Sequence, residues 1–320
     1  MTGMQTRTPT TELIEACLKA ARAAWPLVGS NDKMAVDGAA VDAMRQAFNS
    51  FDFGGQVVIG EGAKDEAPML FNGEVLGRGS SIDWDIAVDP IDGTRLAAEG
   101  VPGAVAVVAA SARGTMMNCP DVYFMKKLVT GAEGVGIVDI DFSATENINR
   151  LAEALGKPVS ELTVAVIYKK MNYDLIEEVQ ATGANWFRFD EGDVAMAVAA
   201  ATPGSGIDMM LGVGGNPEGV LAACAVRILG GFMQGVLAPR NPDEIEAALN
   251  AGYRLDQKLG LSEMVGGDRQ VFVLAGVTEG VLTEGISETD DGKLDIELFV
   301  LDTLIEGGRR IKIRTDVGAD

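Results

Sequence analysis

Histidine is absent from all 320 residues. That excludes Ser-His-Asp and Cys-His nucleophiles, phosphohistidine chemistry, and His-ligated zinc or iron. Carboxylates, hydroxyls, lysines or metal ions must carry any catalysis. Cysteine is nearly absent too. Cys17, Cys119 and Cys224 are odd in number and widely spaced, so no disulfide framework and no Cys-x-x-Cys metal site can be read. They read as three small buried hydrophobes in a reducing compartment. No long apolar run exists. The longest, residues 101–110, is broken by Pro102 and Gly103 and is too short to span a bilayer. Positive charge is scarce: Lys+Arg is 26 against Asp+Glu 47, a net −21. Such a chain repels nucleic-acid phosphates and anionic lipid, so neither is expected as a partner. The first 21 residues, MTGMQTRTPTTELIEACLKAA, contain acids and no continuous apolar core, unlike a signal peptide. The expected location is the cytoplasm.

What is present is an ordinary folding composition, 47% hydrophobic and 23% charged. The length suggests two units of roughly 150 residues. Thr10-Thr11-Glu12 caps a helix running into LIEACLKAARAAW. Further helices are predicted over 37–48, 145–155, 173–181, 192–201, 217–229 and 243–259. Strands are predicted over 56–60, 81–88, 101–112, 134–140, 164–168, 206–211, 271–277, 294–301 and 309–314. In 81–88, Ile82, Trp84, Ile86 and Val88 alternate with Asp83 and Asp85. Gly156-Lys157-Pro158 is the preferred boundary, giving an N-terminal metal-binding unit, 1–158, and a C-terminal substrate-binding unit, 159–320. The mixed order of strands and helices predicts layered α/β sheets, not a barrel.

Five places could carry chemistry. Asp89-Pro90-Ile91-Asp92-Gly93-Thr94 follows the alternating strand. Proline fixes the strand end and Gly93 permits a tight turn, so two carboxylates can converge on one hard cation beside a hydroxyl. The same residues could equally form a turn of solvated acids. Glu61 stands between Gly60 and Gly62 at a strand end, where no propensity asks for an acid; Asp65 and Glu66 fit a solvated loop as well. Gly214-Gly215-Asn216-Pro217-Glu218 opens a helix. Glu218 could complement the helix dipole or ligate a cation near a bound phosphate. Asp37 reads as a helix-start acid. Residues 187–193 could be a binding loop or a plain strand-to-helix turn. Several acids in Gly-rich loops of an acidic protein point to divalent cations, two or more of which would attract a phosphate ester and activate a water.

The motif Asp89-Pro-Ile-Asp-Gly-Thr94 resembles the metal-binding signature of lithium-sensitive sugar and inositol phosphatases. VIGEGAKDEAPML, Asp121-Val-Tyr-Phe and GVGGNPEGVLAA are similar to class II fructose-1,6-bisphosphatases of bacteria, and the likeness runs from about Thr11 to about Arg314. The resemblance implies a layered α-β-α-β-α sandwich and a Mg²⁺- or Mn²⁺-dependent hydrolysis of fructose 1,6-bisphosphate in gluconeogenesis. It implies metal ligands at Asp37, Glu61, Asp89, Asp92 and Glu218, and a catalytic Thr94 acting with Asp92 and Glu61. It places the substrate against Asp92, Gly93, Thr94, Tyr123, Lys169, Lys170, Met171, Glu191, Gly192, Asp193 and Gly215. A homo-oligomer is expected.

Three positions depart from the family pattern. Asp92 stands for the usual Glu, Lys169-Lys170-Met171 for Lys-Pro-Arg, and Glu191-Gly192-Asp193 for Asp-Gly-Asp. The lost arginine weakens bidentate anion binding at the distal phosphate unless Lys170 compensates. The alternatives are therefore sedoheptulose 1,7-bisphosphate or an inositol phosphate as substrate, or a sugar-phosphate sensor without turnover.

Overall fold

The computed structural model describes residues 8–62, 69–118 and 121–316. The helices are α1 (Thr10–Ala24), α2 (Lys33–Phe48), α3 (Thr94–Glu99), α4 (Ala144–Leu155), α5 (Tyr173–Ala181), α6 (Asp193–Ala201), α7 (Asn216–Ile228), α8 (Pro242–Asn250) and α9 (Leu261–Met264). The first seven strands are β1 (Gly55–Ile59), β2 (Val75–Leu76), β3 (Trp84–Asp92), β4 (Val105–Ala112), β5 (Phe124–Thr130), β6 (Thr163–Ile167) and β7 (Asn185–Phe189). The rest are β8 (Met209–Gly215), β9 (Phe232–Leu237), β10 (Leu259–Gly260), β11 (Gln270–Gly276), β12 (Ile286–Glu288), β13 (Lys293–Asp302) and β14 (Ile305–Asp316).

The strands form two mixed sheets. The first runs β12-β13-β11-β4-β3-β1-β2, with β14 on the free side of β13; the second runs β10-β9-β5-β8-β6-β7. Three apolar cores join five layers, one of them reaching both faces of the central helices. Helices α1 and α2 cover one face of the first sheet through Leu13, Cys17, Met44 and Phe48. Helices α6 and α7 lie between the sheets, and α4 with its neighbours covers the outer face of the second. The stack is α-β-α-β-α, as expected. Small and apolar buried residues fill α6 and α7, alanine the commonest in each, because both helices face a sheet on each side. Among the described residues no helix is long and apolar enough to cross a membrane.

The topology bears on the expected boundary after Pro158. A cut there would part β5 from its partners β8 and β9, and β11 from β4. Several elements differ from expectation. Residues 134–140 are a 3₁₀ turn and loop, although β-branched, because β5 takes the sheet position beside β8 and β9. The alternating strand is Trp84–Asp92 and is buried on both faces, so the Asp-Pro-Ile-Asp run belongs to the strand itself. Ile82 lies outside it, and Asp85 is an inward acid held by Arg113 and by the Thr115 and Met116 amides. The strand expected from 101 starts at Val105, after the Pro102-Gly103 turn. The helix expected over 243–259 ends at Asn250. Cys17 and Cys224 are buried; Cys119 lies outside the described residues.

Candidate active site

A cleft of about 580 Å³ opens between the sheets where β1, β3 and β8 end. Thirteen of the residues singled out from sequence line it: Asp37, Glu61, Asp89, Asp92, Gly93, Thr94, Tyr123, Lys169, Glu191, Gly192, Asp193, Gly215 and Glu218. Lys170 and Met171 do not. They form a 3₁₀ turn with Asn172, and Met171 is exposed to solvent. Asp65 and Glu66 lie outside the described residues. Lys33 and Arg95 were not anticipated, yet both line the cleft. Lys33 was open to inference, since it stands one helical turn ahead of Asp37. Helix α2 starts four residues earlier than expected, with Asp32 accepting from the Ala35 amide, so Asp37 is a second-turn residue and not a helix-start acid.

Local backbone explains the arrangement. Glu61 follows Gly60, where a Cβ would sit 1.9 Å from the Leu70 carbonyl oxygen, so the chain behind the acid must be glycine. Two other walls repeat one device, a strand followed by a left-handed glycine and then a helix. Gly93 (φ 87°) swings β3 into α3, whose first residue is Thr94. Gly192 (φ 96°) introduces α6, whose first residue is Asp193. A buried hydrogen bond ties the two, with Val194 N–H donating to Asp92 Oδ2 at 3.1 Å. Thr94 Oγ1 donates to the Ile91 carbonyl at 3.0 Å, which spends its proton and leaves its lone pairs available. On the third wall β8 runs to Gly215, and α7 begins with Glu218 in its first turn.

Electrostatics follow from this crowding. Burial, then repulsion from Asp37, pushes Glu61 up to about 7. Burial, then Glu218 and Asp193, pushes Asp92 up to about 7. Asp89 lies well above the usual carboxylate range through burial and the neighbouring Asp92, Glu61, Glu218 and Asp37. Burial also raises Asp37 and Glu218, and for Glu218 the Lys127 ammonium opposes the shift. Lys127 is buried and paired with Asp193 at 2.7 Å. Sequence gave no reason to single it out, because Lys126-Lys127 reads as a solvated pair.

A divalent cation fits this donor set. Every acid offers hard oxygen, and Glu218 Oε2 and Asp193 Oδ1 are buried without a hydrogen-bond partner among the described residues. In the same set, no three His, Cys, Asp or Glu side chains stand ready-arranged around one metal position. Mutually repelling carboxylates are expected to stand apart until a cation draws them together.

Comparison with known proteins agrees with the geometry. The family described as bacterial fructose-1,6-bisphosphatase, glpX-encoded, matches residues 7–314. "Fructose-1,6-bisphosphatase class 2" of Haemophilus influenzae is 41% identical over 281 residues, 84% of each chain. "Fructose-1,6-bisphosphatase 1 class 2" of Escherichia coli is 38% identical over 308 residues, 92% of this chain and 90% of that one. Among solved structures, an inositol monophosphatase from Anabaena (Nostoc) aligns over 60% of this chain and 71% of its own, at 15% identity and a TM-score of 0.32. A match spanning nearly every described element, and two relatives similar along most of both chains, lead to one assignment: the chain belongs to the glpX-encoded bacterial fructose-1,6-bisphosphatases.

Proposed function

We propose that this chain hydrolyses the 1-phosphate of fructose 1,6-bisphosphate, releasing fructose 6-phosphate and phosphate. The observation that carries this is the convergence of five acids, a pre-oriented threonine and a lysine wall on one cleft. Asp37, Glu61, Asp89, Asp92 and Glu218 would hold Mg²⁺ or Mn²⁺, two or more ions. Bound there, the ions would offset phosphate charge and lower the pKa of water.

The chain's own groups do the rest. Thr94 Oγ1 donates its one hydrogen bond to the Ile91 carbonyl, so toward a water it can only accept a hydrogen bond, which fixes that water's orientation. Asp92 lines the cleft and keeps its Oδ2 committed to the Val194 amide. Lys169, whose charge reaches Glu218, and Tyr123 form the wall for the distal phosphate and sugar. Arg95 is tied to Glu191 at 2.9 Å and to Glu99 at 2.8 Å, which leaves it poorly placed as a phosphate anchor. With no imidazole in the chain, the leaving alkoxide takes its proton from water or a cleft carboxyl. The enzyme would act in the cytoplasm, as a homo-oligomer, in gluconeogenesis.

The test is phosphate release from fructose 1,6-bisphosphate with Mg²⁺ or Mn²⁺, before and after chelation. Sedoheptulose 1,7-bisphosphate and inositol phosphate run in parallel. Chelator should abolish release and added metal restore it. Full activity after exhaustive chelation would sink the metal reading, and faster release from either parallel substrate would replace the substrate.

A further inference from the structure

The second sheet carries, on its face toward α6 and α7, a charge that the reaction as described does not use. Lys127 is on β5, on the face shared with Met125 and Val129, which points at α6 and α7. It is 1% exposed. Its strand neighbours on both sides are glycines, Gly212 on β8 and Gly235 on β9. Its stem runs along α7 beside Gly219, where a Cβ would come within 3.2 Å of Lys127 Cδ. Gly219 is the fourth residue of α7, and its missing side chain leaves the space that the lysine stem fills.

The ammonium group ends at the turn that carries Glu218. Lys127 Nζ donates to Asp193 Oδ2 at 2.7 Å and to the Gly215 carbonyl at 2.9 Å. The Gly215 amide donates to the same Asp193 Oδ2 at 2.9 Å. Both backbone groups of Gly215 are thus held by one ion pair. Gly215 caps α7, and Glu218 stands three residues on, with an oxygen buried and unpartnered among the described residues.

We infer that Lys127 is a positioning residue: through Asp193 it clamps the β8–α7 turn at Gly215 and so holds Glu218 in the geometry a divalent cation needs. This rests on Glu218 being a cation ligand, as proposed above. Two effects of Lys127 have opposite signs and can be separated. If it acted only as a nearby positive charge, its removal would tighten cation binding, because the cluster becomes more negative. If it positions Glu218, its removal loosens a ligand and weakens binding, typically by 10- to 100-fold for groups that orient metal ligands.

The experiment uses the full chain, wild type and Lys127→Met, stripped of metal. Mn²⁺ binding is measured by calorimetry, and hydrogen–deuterium exchange is followed over residues 212–220 with 270–276 as reference. The expected result is Mn²⁺ affinity lower by about ten-fold or more, with faster exchange at 212–220 and none at 270–276. Tighter Mn²⁺ binding, or unchanged exchange at 212–220, would overturn the inference. Should the unpaired Asp193 unfold the single variant, Lys127→Met/Asp193→Asn removes that charge, and the same two readouts decide. Wild-type protein that binds Mn²⁺ but releases no phosphate would defeat the proposed function, while exchange and Mn²⁺ affinity would still judge Lys127.

Discussion

Replacing Gly215 by alanine should separate the site from the fold. Its backbone sits at φ −65°, ψ 136°, a conformation open to any residue. Alanine therefore adds no backbone strain and slightly restricts the unfolded chain, so the melting temperature should shift by no more than roughly 3 °C. The side chain is another matter. A Cβ on Gly215 would lie 1.7 Å from Glu218 Oε2, 2.3 Å from its Cδ and 2.7 Å from Oε1. Real Cβ contacts essentially never close below 3.0 Å, so the carboxylate must retreat by roughly 1.3 Å. A displacement near 1 Å at a catalytic group costs on the order of 10²-fold in rate, or about 2.7 kcal/mol. Gly215→Ala should therefore lower kcat about 100-fold, with fold and melting nearly intact. The assay is phosphate release at saturating Mn²⁺ beside thermal unfolding. Near-wild-type turnover would refute the link between Glu218 placement and rate. A loss of melting temperature far beyond 3 °C would show that Gly215 matters for folding instead.

Thr94→Ala removes the oriented acceptor and should lower kcat by roughly 10² with a smaller change in KM; Thr94→Ser should keep part of the rate, and equal rates in all three proteins would reduce Thr94 to a turn residue. Lys169→Ala should raise KM for the bisphosphate while turnover of a small monophosphate changes little, and equal losses on both would place Lys169 at the reacting phosphate. The metal-free protein should lose stability as pH rises. Glu61 and Asp92, each near 7 when folded, hold protons that the unfolded chain releases near pH 4, so the folded state binds more protons across that window and its advantage is lost as pH climbs through 7. Melting temperature should fall from pH 5.5 to pH 8 in chelator and fall less with Mn²⁺; a metal-free rise over that range contradicts the buried cluster.

Much of this site was legible in the chain because its acids sit where local rules give no other cause. Glu61 between two glycines and Asp92 before a left-handed glycine are anomalies of sequence as much as of structure. Lys127 was not legible. A lysine in FMKKLVT looks solvated, and only the register that sets it opposite Gly212 and Gly235 reveals the space prepared for it. The same limit applies to fold. Tyr173–Ala181 was read to the residue, since its helix is punctuated at both ends. Residues 134–140 were read as a strand, and β5 was not read at all. Both carry β-branched residues, and which of them joins the sheet is decided by partners some 80 to 110 residues away, at Met209–Gly215 and Phe232–Leu237. Glycines at Gly214 and Gly215 suggested a loop before the helix; they are strand, kept bare because the Asp193 and Glu218 carboxylates occupy the space of their missing side chains.

The sheet order also sets a schedule for synthesis. Strand β4 is bounded by β3 on one side and β11 on the other, and β11 pairs Val271 with Ala110 and Val273 with Val108. A ribosome that has finished β4 must still add some 160 residues before its second neighbour exists, on the order of ten seconds or more of elongation. During that interval a fully apolar strand edge, Val105 to Ala110, has no native partner, and the strand bearing Asp89 and Asp92 rests on an unfinished sheet. The acids that would bind metal in the first third of the chain therefore cannot be locked in place until the last fifth emerges. Newly made chains arrested before residue 270 should attract chaperones or aggregate through that edge, and metal should protect only the completed chain.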